Sequence, residues 1–66
     1  MAITRELLQD YDVEEEKIKK IFGSKKEVKS LDIQAPNNEG VIVTFKARNE
    51  DQVASWLGRE GAEVLV

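Results

Sequence analysis

The spacing of the apolar residues predicts three helices. A short helix follows Thr4, a second covers residues 13–22, and a third covers residues 50–60 after Asn49. Along each segment the apolar residues recur three or four positions apart, which places them on one face of a helix. These residues are Leu7, Leu8 and Tyr11 in the first helix, Ile18, Ile21 and Phe22 in the second, and Val53, Trp56 and Leu57 in the third. Each helix is therefore expected to bury one apolar stripe.

Polar residues mark the ends of these helices. Asp12 is followed three positions later by Glu15, and Asn49 by Gln52, which is the pattern of a capping box. Gly23 comes directly after the second helix and suits the left-handed conformation that often ends a helix. The first two helices are therefore expected to meet at Asp12 in a tight helical corner.

Extended segments are predicted where apolar and polar residues alternate. Residues 28–35 and 41–47 show this alternation, and residues 62–66 form a third, valine-rich segment. In the second segment one face carries Val41, Val43, Phe45 and Ala47. The opposite face carries Ile42, Thr44, Lys46 and Arg48. The stretch PNNEG between the first two segments consists of turn-forming residues, which predicts a hairpin with one buried face and one open face.

The order of these elements predicts an α+β fold, α-α-β-β-α-β, in a single small domain spanning residues 1–66. The third helix lies between two extended segments, which is the arrangement of a crossover connection. We therefore expect the last strand to run parallel to the strand at 41–47. The result would be a three-stranded mixed sheet with helices packed on one face.

Basic residues are concentrated in one part of an acidic chain. The net charge is −3, yet residues 17–30 carry six lysines and a single acid. We call the stretch Lys17–Lys29 the basic segment. A local surplus of positive charge raises the question of a phosphate-bearing partner.

The basic segment has two interpretations. As a nucleic-acid patch it would grip phosphates, although three acids precede it and no Arg or free aromatic residue accompanies it. As a solvated helix face, it complements the helix dipole, and the acids at 15 and 16 stand four residues before Lys19 and Lys20, the spacing of helical ion pairs. The second interpretation needs fewer assumptions. Under the first, the contact residues are Lys17, Lys20, Lys25, Lys26 and Lys29.

Side chains that carry chemistry are scarce. The chain has no His and no Cys, so the most common general base, the thiol nucleophile and most zinc ligands are missing. The serines have no evident activating partner, and no glycine-rich phosphate loop is present. The sequence therefore predicts a non-enzymatic protein with no catalytic residues, no cofactor and no metal.

The length of the chain bears on its partners. A domain of 66 residues buries only about 60% of its unfolded surface, and such domains are commonly reinforced by disulfides, metals or oligomerisation. Without Cys or His, oligomerisation is the reinforcement that is left, and a homodimer is a candidate. No apolar run reaches membrane-spanning length and no signal peptide is evident, so a cytoplasmic protein without membrane contact is expected.

These observations favour a small interaction or regulatory protein that acts through protein–protein contacts, with a different protein or a second copy as partner. The candidate contact surface is the open sheet face, with Ile42, Thr44, Lys46 and Arg48. The alternative is a nucleic-acid-associated regulator that uses the basic segment.

Overall fold

The computed structural model describes residues 2–66 and contains three helices and five strands within them. The helices are α1 (Arg5–Asp10), α2 (Glu15–Phe22) and α3 (Glu50–Leu57). The strands are β1 (Ile3–Thr4), β2 (Glu27–Val28), β3 (Leu31–Pro36), β4 (Ile42–Ala47) and β5 (Glu63–Val64). The α+β class predicted from the sequence is confirmed.

The strands form two sheets, and every strand pair is antiparallel. β4, β3 and β5 make a three-stranded sheet in that order, while β1 and β2 pair separately. The prediction of a mixed sheet is wrong in one respect. β5 runs in the same direction as β4, as expected, but it pairs with β3, on the side away from β4. After the hairpin forms, β3 and β4 each keep one free edge, and the crossover through α3 brings β5 to the edge of β3.

The two-residue strands β1 and β2 were not anticipated. Ile3 pairs with Val28 and Thr4 with Glu27, which ties the start of the chain to the segment after α2. Val28, which the alternation assigned to the long strand, therefore belongs to a different sheet. Two residues are too few for a periodic pattern to reveal.

The helix ends follow the sequence at three positions and depart from it at two. α3 ends at Leu57, with Gly58 at its C-cap, and does not extend to residue 60 as predicted. Thr4 caps α1, Gly23 follows α2 with a φ of 58°, and Asn49 caps α3. Asp12 does not cap α2: its own φ is 59°, and Glu14 occupies the N-cap position without a side-chain hydrogen bond. Asp12 instead supplies the left-handed residue of the α1–α2 corner, a conformation that Asp tolerates better than most residues.

A single cluster of buried apolar side chains lies between the helices and one face of the larger sheet. On β3 the alternation is confirmed, because Leu31, Ile33 and Ala35 are buried. The other members of the cluster are Ile3, Leu8, Ile18, Phe22, Ala47, Val53 and Val64. Each helix contributes to it through its predicted apolar stripe, with one exception: Tyr11, assigned to the stripe of the first helix, follows α1 as its C-cap residue and is 37% exposed.

β4 is less covered than the sequence predicts. Ala47 is buried and Val43 and Phe45 are half-buried, as expected for the core-facing side. Val41, assigned to the same face, lies outside the strand and is 57% exposed. Its backbone N–H donates to the Oδ1 of Asn37, so Val41 forms part of the turn and lies beyond the end of the strand.

Candidate functional site at the free edge of the sheet

β4 forms an edge of the three-stranded sheet, because β3 is its only neighbour within residues 2–66. The N–H of Asn37 donates to the carbonyl of Val41, which fixes the first hydrogen-bonded pair of the hairpin. Hydrogen-bonded and non-hydrogen-bonded pairs alternate along an antiparallel ladder. The backbone groups of Ile42, Thr44 and Lys46 therefore point away from β3, towards solvent.

These same residues place their side chains on the open face of the sheet. Cross-strand pairing puts Lys46 beside Asp32, Thr44 beside Gln34 and Ile42 beside Pro36. The Nζ of Lys46 lies 3.4 Å from Oδ1 of Asp32, with both side chains about half exposed. A pair this exposed contributes at most about 1 kcal/mol. Arg48, directly after the strand, is also exposed.

An apolar patch lies at the turn end of β4. Val41 is 57% exposed and Ile42 is 55% exposed, and they are adjacent in the chain. The other large hydrophobic residues exposed in residues 2–66 are Tyr11 and Val66, which lie elsewhere in the fold. We call the outward backbone of Ile42, Thr44 and Lys46, together with the side chains of Val41 and Ile42, the β4 edge.

The β4 edge has few of the features that keep edge strands from pairing. Proteins protect such edges with Pro, charged residues, bulges or very short strands. β4 is six residues long, contains no Pro and carries one charge, Lys46. Its register with β3 is uninterrupted from Ile42 to Ala47, so no bulge bends it. The strand thus presents a straight row of unpaired donors and acceptors.

The opposite edge of β3 is closed. The N–H of Leu65 donates to the carbonyl of Asp32 over 2.9 Å, and β5 covers the middle of the strand. Beyond the N-terminal end of β5, the Nη1 of Arg59 donates to the carbonyl of Pro36 over 2.8 Å. A side chain therefore occupies the acceptor that another strand would use on that side.

A stack of side chains holds β4 against α3. The rings of Phe45 and Trp56 are parallel within 8°, with centroids 4.5 Å apart. The guanidinium carbon of Arg59 lies 4.0 Å from the centre of the Trp56 ring, on a cation–π contact. The core-facing side of the β4 edge is thereby fixed in position, which reduces the entropy lost when the edge binds.

The structure divides the basic segment among several elements. Lys17 is half-buried in a shallow cleft of about 160 Å³ beside Tyr11 and Leu57. Lys19 and Lys20 are exposed on α2, as the predicted solvated face requires. The other lysines, also exposed, follow the helix: they are Lys25, Lys26 and Lys29.

Arg5 fixes the loop that carries two of these lysines. Its Nε donates to the carbonyl of Lys25 over 3.2 Å, and its Nη2 donates to the carbonyl of Gly23. Its guanidinium also lies 5.5 Å from the centre of the Phe22 ring. The loop backbone is thus held in place while the Lys25 and Lys26 side chains extend into solvent.

The helical ion pairs predicted for α2 are not formed. Between residues 2 and 66 the only Lys, Arg or amino group within 4.0 Å of a carboxylate is Lys46, beside Asp32. Lys19 and Lys20 are therefore not neutralised by the acids one turn earlier. Long exposed side chains gain little from such pairing and lose rotamer freedom.

The cleft at Lys17 offers little for small-molecule binding. Ligand pockets commonly have volumes of about 300–1,000 Å³, which exceeds the 160 Å³ found here. Its polar lining combines Asp12, Glu14 and Glu63 with Lys17. No group of three or more Asp or Glu side chains in the described part of the chain could hold a metal ion.

Comparison with protein-family models, with curated proteins and with solved structures finds no match to this chain. None of the helices in residues 2–66 has the length and apolar character needed to cross a membrane.

The sequence predicted that four candidate residues are exposed on β4 or directly after it, but it missed Val41, which belongs to the β4 edge, and Arg59, which contacts the ring of Trp56 beneath it. Ile42, Thr44, Lys46 and Arg48 are all exposed, as the alternation predicted. Val41 was assigned to the core, and no role was assigned to Arg59. The sequence does contain a signal for the contact of Arg59 with Trp56. Arg59 stands three residues after Trp56, and residues at that spacing are neighbours on a helix surface.

Proposed function

We propose that this chain is a small non-enzymatic interaction protein that binds another polypeptide along the β4 edge. The observation that carries the proposal is the combination of three outward backbone positions with the adjacent apolar side chains of Val41 and Ile42. An exposed edge strand can accept a further strand through main-chain hydrogen bonds, while alternate side chains determine which sequence fits.

The adjoining open face supplies specificity to this contact. Thr44 and the Lys46–Asp32 pair lie beside the outward backbone, so an added strand would pass next to both a hydroxyl and a pair of opposite charges. Partners that bring positive charge next to Lys46 or Arg48 would associate more slowly than partners that bring negative charge. The proposal thus predicts selectivity from residues already exposed in the free protein.

Several features favour a binding role over catalysis. The chain lacks His and Cys, and the cleft at Lys17 is smaller than ordinary ligand pockets. A chain without Cys has no disulfide to form, which suits a reducing compartment, and we place the protein in the cytoplasm on that basis.

Site-specific photo-cross-linking tests the proposal. A photoreactive amino acid at position 42 samples the β4 edge, and one at position 20, which is exposed on α2, serves as the matched control. In an extract of the source cells, we expect position 42 to cross-link to a protein chain, a second copy included. Excess wild-type protein should prevent a cross-link to a different protein, or become the cross-linked chain itself if the partner is a second copy, whereas excess Ile42→Lys should do neither. Equal labelling from position 20, or equal competition by the variant, would contradict the proposal.

A nucleic-acid-associated regulator is the second candidate, because the lysines of the basic segment are not engaged by carboxylates. None lies within 4.0 Å of one in residues 2–66, and Arg5 holds the loop of Lys25 and Lys26 in place. Against it, Phe22 is buried and cannot stack on bases.

An NMR titration with a short duplex DNA and a single-stranded RNA separates the two candidates. Shifts confined to Lys17–Lys29 that persist at physiological salt would favour the regulator. Weak shifts that vanish as salt rises would indicate non-specific attraction, because phosphate contacts release counterions and weaken steeply with salt.

A further inference from the structure

We infer that the partner strand of the β4 edge is β4 of a second copy, paired antiparallel about a two-fold axis at Thr44. This inference rests on the proposed function, which assigns binding to the same edge. It adds the identity of the partner and the register of pairing. The product is one continuous six-stranded sheet with the helices of both copies on the same face, and its symmetry is that of the commonest class of oligomer.

The backbone geometry restricts the register. Two antiparallel edges exchange hydrogen bonds only where outward-pointing residues face each other. On β4 these are Ile42, Thr44 and Lys46. Only one alignment of the two strands pairs all three of these residues with outward-pointing residues of the other copy. In that register Thr44 faces Thr44, and Ile42 faces Lys46 of the other copy.

The side chains in this register form favourable pairs on both faces of the sheet. On the open face, Thr44 meets its own equivalent, and Ile42 covers the aliphatic stem of Lys46 from the second copy. On the helix-covered face, half-buried Val43 faces half-buried Phe45. Thr–Thr and aromatic–β-branched pairs are among the cross-strand pairs that stabilise sheets.

Charges are also compatible in this register. The two copies of Lys46 stand four residues apart along the strands, a separation of about 14 Å at roughly 3.4 Å per residue. Arg48 lies beyond the strand and falls on the side of Gly40 of the second copy, so it meets no like charge there.

The neighbouring registers are worse. A shift towards the strand end places the two Lys46 side chains diagonally, about 7–8 Å apart, and a further shift places them directly opposite. A shift towards the turn places Lys46 opposite Gly40 and leaves only Ile42 and Thr44 to exchange hydrogen bonds. Repulsion between the two Lys46 side chains therefore disfavours a shift towards the strand end, and the loss of hydrogen bonds disfavours a shift towards the turn.

The size of the chain favours a second copy over an unrelated peptide. The core of a chain of 66 residues seldom gives high stability without further reinforcement, and oligomerisation is one such reinforcement. Pairing with a second copy covers Val41 and Ile42 in both chains at once. It also leaves no edge of β4 unpaired in the assembly, which removes the site at which larger aggregates would grow.

Disulfide formation between single-cysteine variants determines the register, and the wild-type chain has no Cys that would interfere. Three variants are compared in a glutathione redox buffer: Ile42→Cys, Thr44→Cys and Lys46→Cys. Each position faces its own equivalent in only one register. We expect a disulfide-linked dimer from Thr44→Cys alone, since the Cα atoms of a hydrogen-bonded pair are about 5.5 Å apart and disulfides span about 4.4–6.8 Å. The double variant Ile42→Cys/Lys46→Cys should also link, as a second test of the same register.

Sedimentation of the cysteine-free protein accompanies the scan. We expect a monomer–dimer equilibrium, and we expect Ile42→Lys to raise the dissociation constant of the dimer by more than about tenfold. The substitution removes an apolar contact from each of the two copies, and the introduced ammonium faces Lys46 of the other copy. Val66→Lys, at an equally exposed aliphatic residue outside β4, should leave the equilibrium unchanged.

The outcomes separate this inference from the proposed function. A wild-type protein that stays monomeric at every concentration, or a dimer linked most readily through position 42 or 46, overturns the inference. A monomer that still cross-links from position 42 to a different protein retains the proposed function. Loss of both the dimer and the cross-link overturns both.

Discussion

Replacing Arg59 tests the side-chain stack that supports the sheet. In Arg59→Ala the carbonyl of Pro36 loses a charged donor at 2.8 Å and the Trp56 ring loses a cation at 4.0 Å. A hydrogen bond to a charged group contributes about 1.5–3 kcal/mol, and an exposed cation–π contact adds about 0.5–1 kcal/mol. Arg59 is half-buried and water can hydrate the freed carbonyl, so the lower end of each of these two energy ranges applies. We expect the free energy of unfolding to fall by about 2 kcal/mol.

Urea unfolding is the assay, followed by the fluorescence of Trp56, the only Trp in the chain, and by far-UV circular dichroism. A loss of this size should also lower the melting temperature by about 8–16 °C, given about 4–8 °C per kcal/mol for a domain of this length. Arg59→Lys keeps the charge but loses the planar fork, so it should recover roughly half of the loss.

Arg48→Ala is the matched control, because Arg48 is exposed and its side chain makes no hydrogen bond or ion pair in residues 2–66. It should change the unfolding free energy by less than about 0.5 kcal/mol. If Arg59→Ala and Arg48→Ala are equally stable, the stack contributes nothing and the reasoning fails.

Three further substitutions test local features of the fold by the same urea assay. Asn49→Ala removes an acceptor 2.9 Å from the N–H of Gln52 and should cost about 1 kcal/mol; no change would mean that α3 starts equally well without its cap. Gly61→Ala forces a side chain into a φ of 84° where space is open, so a loss of about 1–2 kcal/mol is expected from the backbone alone. Unaltered stability would exclude that backbone penalty. Asp32→Asn breaks the half-exposed contact with Lys46 and should cost no more than about 1 kcal/mol; a larger loss would show that the pair matters to the sheet.

Features set by neighbouring residues were predictable. The cap at Asn49 forms as its spacing indicates, because Oδ1 of Asn49 accepts from the N–H of Gln52. The side chain of Gln52 reaches back one residue further than a capping box requires and accepts from the N–H of Arg48 over 2.7 Å. The alternation that buries Ile33 and exposes Ile42 also follows from local periodicity. Such patterns depend on the period of one element, and tertiary packing did not override them here.

Features set by distant partners were not predictable. Asp12 has a good capping pattern, yet the tight corner between α1 and α2 requires a left-handed residue there. β5 pairs with β3 and not with β4, although both strands have a free edge once the hairpin has formed. Val41 continues an apolar alternation but lies past the end of the strand, where no helix covers it. Each outcome depends on which helices and strands lie next to each other in the fold, and the local pattern of one sequence does not specify those neighbours.

The candidate site was only half predictable for the same reason. Alternation identified the outward side chains of β4, including Thr44 and Lys46, but not that the strand lies at an edge. Edge position follows from the sheet order, which the sequence left open. The capped carbonyl of Pro36 on the other edge likewise depends on where α3 brings Arg59.

Amide hydrogen exchange along β4, measured by NMR from dilute to concentrated solution, tests the central claim most directly. In the monomer the N–H groups of Val43, Phe45 and Ala47 bond to β3 and should exchange slowly, while those of Ile42, Thr44 and Lys46 should exchange rapidly. We expect the N–H groups of Ile42, Thr44 and Lys46 to become protected as the protein concentration rises, so that slow and rapid exchange no longer alternate along β4. Persistent alternation at the highest concentration would contradict pairing of the β4 edge with a second copy. New protection confined to Lys17–Lys29 or to β5 would place the contact surface elsewhere.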